Sequence, residues 1–96
     1  MTLESIVTFL RQHKEEMHTK FSVEKVGVFG SYAKQRATEE SDIDVFVVFS
    51  QKSFRNLTRL YTYLEQAFGT KVDIVTDHKN MRPSLRREIE ENIVYG

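Results

Sequence analysis

Five residues of this chain have the types and spacing to do phosphate chemistry. An apolar stretch, Val26-Gly27-Val28-Phe29, breaks off at Gly30-Ser31, and a second apolar stretch opens with Asp42 and Asp44, the first of them eleven positions after Ser31. Side chains at i and i+2 of a strand share a face and stand roughly 6–7 Å apart. The two carboxylates are therefore expected to aim at one point. Hard oxygen donors converging at a strand end suit Mg²⁺, which keeps several waters and completes its shell with substrate phosphates. At a strand-to-helix turn, Gly30-Ser31 offers a small hydroxyl and the free N–H groups of a helix N-terminus, an anion site. A further acid, Asp73, stands alone in the short run Lys71-Val72-Asp73-Ile74-Val75-Thr76. A phosphate cradle beside a metal-binding pair implies phosphoryl or nucleotidyl transfer. Taken singly, each piece has a plainer reading as a turn or a solvated strand end; their joint spacing carries the inference.

These residues need elements to hold them. Leu3, Ile6, Val7 and Leu10 follow the i, i+3, i+4, i+7 stripe of an amphipathic helix with Thr2 as N-cap, and the polar run from Arg11 to Lys20 reads as its end and a loop. Phe21 to Phe29 reads as the first strand, and Ser31 as the cap of a short helix through Tyr32 to about Arg36. Asp42 to Phe49 is the second strand; after Asp44 it is apolar on both faces and requires cover on both sides. Ser53 and Gly69 bracket a third helix, where Phe54, Leu57, Leu60, Tyr61, Leu64 and Phe68 form the expected buried stripe. Lys71 to Thr76 is the third strand. Pro83 opens a last helix with Leu85, Ile89 and Ile93 on one face. The order α-β-α-β-α-β-α predicts an α/β (α+β) domain over residues 1–96, with a three-stranded mixed sheet packed by helices.

Composition narrows the function classes. Fourteen basic and fourteen acidic residues cancel in a chain of 96. Nucleic acid is therefore not expected as a primary partner, since backbone-phosphate binding shows as a basic excess. No cysteine is present, which excludes disulfides and thiolate metal sites. The N-terminus has no basic segment followed by an apolar core, and no long uncharged apolar run follows, so no membrane partner and a cytoplasmic location are expected. His13, His18 and His78 lie in polar contexts without the pairing that zinc needs. The cluster Arg82, Arg86, Arg87 precedes Glu88, Glu90 and Glu91 and reads as a solvent face with pairs such as Arg86–Glu90 and Arg87–Glu91. Among the tyrosines only Tyr32, beside Ser31, suggests nucleotide contact.

The pattern Gly30-Ser31, Asp42-x-Asp44 and a lone Asp73 on the following strand resembles the nucleotidyltransferase domain of the DNA polymerase β superfamily. In size, and in the approach from Lys71–Thr76 to an arginine-rich last helix and Val94-Tyr95, the chain resembles most the minimal nucleotidyltransferase (MNT) antitoxins. The resemblance implies a partner, a HEPN-domain RNase toxin, whose tyrosine is adenylylated with ATP and Mg²⁺, two ions in all, and so silenced. It assigns Asp42 and Asp44 to the metal that holds the triphosphate, and Asp73 to the second metal and to deprotonation of the attacking hydroxyl. Gly30 and Ser31 would contact the terminal phosphates. Two metals about 3.5–4 Å apart can stabilise the entering and leaving oxygens of an in-line displacement. Where many relatives have Ala-Arg-Gly, this chain has Ala33-Lys34-Gln35-Arg36. The phosphate-binding cation is then Lys34, which lacks the guanidinium fork, or Arg36. With little chain outside the core motif, a protein acceptor is expected. The alternatives are an antitoxin acting by steric binding alone, and a nucleotidyltransferase for a small-molecule or RNA-end acceptor.

Overall fold

Thr2 starts the first helix, α1 (Leu3–Gln12): its hydroxyl accepts the Ser5 N–H while the Ser5 hydroxyl oxygen accepts the Thr2 N–H. This exchange satisfies donors that a first helical turn leaves free. Ile6, Val7 and Leu10 form its buried stripe. The structure is a computed structural model that describes residues 1–96.

The polar run after α1 is not a loop. Lys14–Phe21 forms a second helix, α2, which ends at Ser22 in the left-handed region, φ 62°. Only Met17 and Phe21, one turn apart, anchor it, and both are buried. Two apolar residues are too few to declare a helical period, and Phe21 merges by composition with the strand after it. The first strand, β1, is accordingly Val23–Phe29. A short helix, α3 (Gly30–Ala33), follows without a break, capped by the extended backbone of Phe29 rather than by Ser31. The second strand, β2, spans Ile43–Phe49, so Asp42 sits just before it.

Ser53 caps α4 (Phe54–Phe68) by accepting the Asn56 N–H at 3.0 Å, and Gly69 ends it at φ 68°. Leu60, Leu64 and Phe68 are buried in this helix, with Leu57 and Tyr61 partly so. Phe54 departs from the expected stripe: at the helix's first position it is 84% exposed. Strand β3 is Val72–Thr76, and α5 is Pro83–Asn92 with proline in its first turn. A fourth strand, β4 (Val94–Tyr95), leaves α5 almost at once and pairs with β1. Two residues bear no period of their own, which is why the sheet has four strands and not the expected three. Gly27 permits this pairing, since a Cβ there would lie 2.8 Å from the Ile93 side chain.

The sheet runs β3-β2-β1-β4, with β1 antiparallel to both neighbours and β2 parallel to β3. Alternation gives its two faces different cover. Val26, Val28, Ile43, Val45, Val47, Val72 and Ile74 pack in the main core with residues of α1, α2 and α4. Phe29, Phe46, Val48 and Val75 point the other way, against Met81, Leu85, Ile89 and Ile93. The doubly apolar β2 is thus covered on both sides, as its composition required. No helix is long and apolar enough to cross a membrane.

Candidate active site

The carboxylates meet where β1 ends and β2 and β3 begin. Asp44 is directly opposite Phe29 of β1 on one side and Asp73 of β3 on the other. Adjacent strands are about 4.8 Å apart, so Asp44 and Asp73 are lateral neighbours on the same face. That face is the one α5 covers further along, because Asp44 alternates with Phe46 and Val48. Asp42, just before the strand, is exposed, as is Asp73, whereas Asp44 is half-buried.

Gly30 closes the site from β1. Its φ of +71° is one that L side chains rarely adopt, and a Cβ there would come within 2.9 Å of Asp44 Cγ. Glycine is needed both for the turn and for the close approach of backbone to carboxylate. The Ser31 N–H lies near the Asp44 carboxylate without full hydrogen-bond geometry and only weakly favours its ionisation.

The electrostatics are unfavourable as they stand. Burial first, then the charges of Asp73, Asp42 and Glu88, push the Asp44 carboxyl up from 3.8 to about 6. Like charges beside a partly desolvated acid disfavour its ionised form. A cation at this corner would reverse that, and the donor set fits Mg²⁺. It is all carboxylate oxygen, and it is open, with no three groups drawn in to coordinating distance of one point. Mg²⁺ takes one or two carboxylates, waters and substrate phosphates rather than a complete protein cage.

A family model described as a nucleotidyltransferase domain matches residues 10–95. The chain belongs to this family. It is 40% identical to a Methanocaldococcus jannaschii protein provisionally named a protein adenylyltransferase, over 98% of this chain and 97% of that one. It is 35% identical to the protein adenylyltransferase MntA of Thermococcus cleftensis, over 99% and 96%. A solved structure provisionally named a minimal nucleotidyltransferase superposes with a TM-score of 0.78 at 30% identity, covering 98% of this chain and 95% of that chain. A tri-AMPylated Shewanella oneidensis HEPN toxin in complex with an MNT antitoxin gives 0.61 at 16% identity, covering 92% and 69%, a likeness of fold.

In this nucleotidyltransferase the expected site residues separate into two groups. Gly30, Ser31, Asp42, Asp44 and Asp73 lie at one corner of the sheet, with Asp73 beside Asp44 and Gly30 against it, but the three carboxylates are not drawn together around one point. Lys34 ends α3 and its ammonium pairs with Glu88 of α5, Nζ to Oε1 2.8 Å. Arg36 is exposed, and its side chain has no protein partner. Its backbone N–H donates to Ser31 O at 2.8 Å. Between them Gln35 adopts φ +58°, a left-handed conformation that favours glycine. The arginine pairs expected along α5 are not formed; Arg86 instead donates to Asp77 Oδ1 at 3.2 Å and His78 O at 3.0 Å.

Three residues near the site were not apparent in the sequence. Glu88 looked like one of several solvent-facing acids. Tyr61 of α4 read as part of the buried stripe and Glu65 gave no signal, yet both reach the open edge of β3. The Ile74 N–H donates to the Tyr61 hydroxyl at 3.1 Å, and the Val72 N–H donates to Glu65 Oε2 at 3.1 Å. These bonds flank Asp73 and occupy an edge that would otherwise be open to another strand.

Proposed function

We propose that this protein is a Mg²⁺-dependent protein adenylyltransferase that moves AMP from ATP to a hydroxyl of a partner protein and releases pyrophosphate. The observation that carries this reading is the register Phe29–Asp44–Asp73 beside a glycine turn with no room for a Cβ. The matches to protein adenylyltransferases along almost their whole length support it. The solved complex of an MNT antitoxin with an AMP-modified HEPN toxin supports a HEPN-type toxin as the partner, and a tyrosine hydroxyl as the acceptor is part of the same proposal. A cytoplasmic setting, where ATP is available, belongs to the same proposal.

The roles follow from position. Asp42 and Asp44 would hold the metal that binds the triphosphate, and Asp44 with Asp73 a second one near the acceptor. Bound Mg²⁺ would neutralise charge on the phosphates and lower the pKa of the attacking hydroxyl. The Gly30-Ser31 turn offers N–H donors to the phosphates, and Lys34 adds a full positive charge at the end of the same short helix. Asp73, exposed and on the outer strand, faces the direction from which a protein hydroxyl can approach.

The test is intact-mass analysis of the candidate partner after incubation with this protein, ATP and Mg²⁺. An increase by one or more AMP units, absent with Asp42→Asn/Asp44→Asn, is expected. A stable complex with no mass change would overturn the proposal in favour of inhibition by contact.

A further inference from the structure

Lys34 and Glu88 are 54 positions apart and joined at 2.8 Å. Two other ion pairs occur: Lys20–Glu16 lies within α2, and Arg86–Asp77 ties α5 to the loop after β3. Only Lys34–Glu88 reaches the phosphate-binding turn. The Lys34 N–H donates to Gly30 O at 3.0 Å, so its backbone is fixed to that turn while its ammonium is held from α5. That turn lies directly against the carboxylates, since a Cβ on Gly30 would come within 2.9 Å of Asp44 Cγ. The pair therefore stands at the edge of the carboxylate cluster.

A lysine side chain is a flexible four-carbon stem, and much of its rotamer freedom is lost when the ammonium is fixed on a ligand. A carboxylate that already holds the ammonium removes part of that loss before the ligand arrives, which is preorganisation. Arg36, the other candidate cation, has no such holder. We propose that Glu88 is a positioning residue for nucleotide binding, holding the Lys34 ammonium beside the Gly30-Ser31 turn where it meets the triphosphate. This rests on the adenylyl-transfer reading. Both partners are partly exposed, with side chains 35% and 38% accessible. Exposed pairs contribute little to stability, so the effect belongs in nucleotide affinity and not in the unfolding midpoint.

The experiment is a titration of wild type, Lys34→Gln, Glu88→Gln and the double variant with α,β-methylene ATP and Mg²⁺, an analogue that cannot lose pyrophosphate. Lys34→Gln should weaken binding about tenfold, the loss of one charge-assisted phosphate contact. Glu88→Gln should weaken it about three- to fivefold, the worth of an exposed pair. The double variant should bind like Lys34→Gln alone, because residues acting through one contact are not additive. Thermal midpoints of all four should agree within about 2 °C, as expected for surface changes. Binding by Glu88→Gln as tight as wild type or tighter, or losses that add in the double variant, would overturn the proposal. A wild type that shows this pattern yet modifies no partner would uphold Glu88 and overturn adenylyl transfer. A wild type that binds no nucleotide overturns both.

Discussion

Replacing Asp44 by asparagine should make the metal-free protein more stable at pH 8 while abolishing AMP transfer. The Asp44 carboxyl is pushed up to about 6 from 3.8 by burial and by Asp73, Asp42 and Glu88. A carboxyl whose pKa is higher folded than unfolded binds its proton more tightly in the folded state. Wild-type stability therefore declines as pH rises from about 4 to about 6, and the deficit persists above that. Each pKa unit is worth about 1.4 kcal/mol, which would give about 3 kcal/mol for a fully desolvated group. Asp44 is only half-buried, so solvent screening leaves about 1–2 kcal/mol. For a domain of this size that corresponds to about 4–15 °C in melting temperature.

The assay is thermal unfolding of wild type and Asp44→Asn in chelator, at pH 8 and at pH 4. The variant should melt higher at pH 8, and the gap should close at pH 4, where wild-type Asp44 is protonated. Adding Mg²⁺ at pH 8 should raise the wild type and leave the variant almost unchanged, since binding to the native state alone stabilises it. A variant less stable than wild type at pH 8, or a gap independent of pH, would refute the view that burial and neighbouring acids disfavour the ionised Asp44 in the folded protein.

Three further outcomes follow from local geometry. Gln35→Gly should raise stability by about 0.5–1 kcal/mol, read as an increased urea midpoint, because it relieves a non-glycine residue at φ +58°. Tyr61→Phe should cost about 1–2 kcal/mol, since the Ile74 N–H loses its acceptor; hydrogen exchange at Ile74 should quicken by more than at core amides. Gly30→Ala should cost about 1–3 kcal/mol through the strain of its positive φ. The same Cβ displaces Asp44, so the variant should yield no mass change in the partner even under conditions where it remains folded.

The parts of the structure legible in the sequence are those where one residue type answers one physical demand. Thr2, Ser53 and Gly69 mark helix ends because few residues can cap an N-terminus or adopt φ near +68°. The doubly apolar run after Asp44 announces a strand with two covered faces, and Asp42, Asp44 and Asp73 announce charge that only cations can reconcile. What stays hidden depends on partners distant in sequence. Helix α2 exists because Met17 and Phe21 find the main core, not because its own pattern is periodic. Strand β4 exists because Gly27 clears space for Ile93 and leaves the β1 edge free. The same division runs through the site. Its metal-binding chemistry can be read from spacing along a strand, but the holders of Asp73 and Lys34 come from α4 and α5, and only folding reveals them. A carboxylate corner with this much internal repulsion needs such holders. Tyr61 and Glu65 fix the backbone on either side of Asp73, which keeps its carboxylate beside Asp44 despite that repulsion, while Glu88 adds to the repulsion and acts on Lys34 instead.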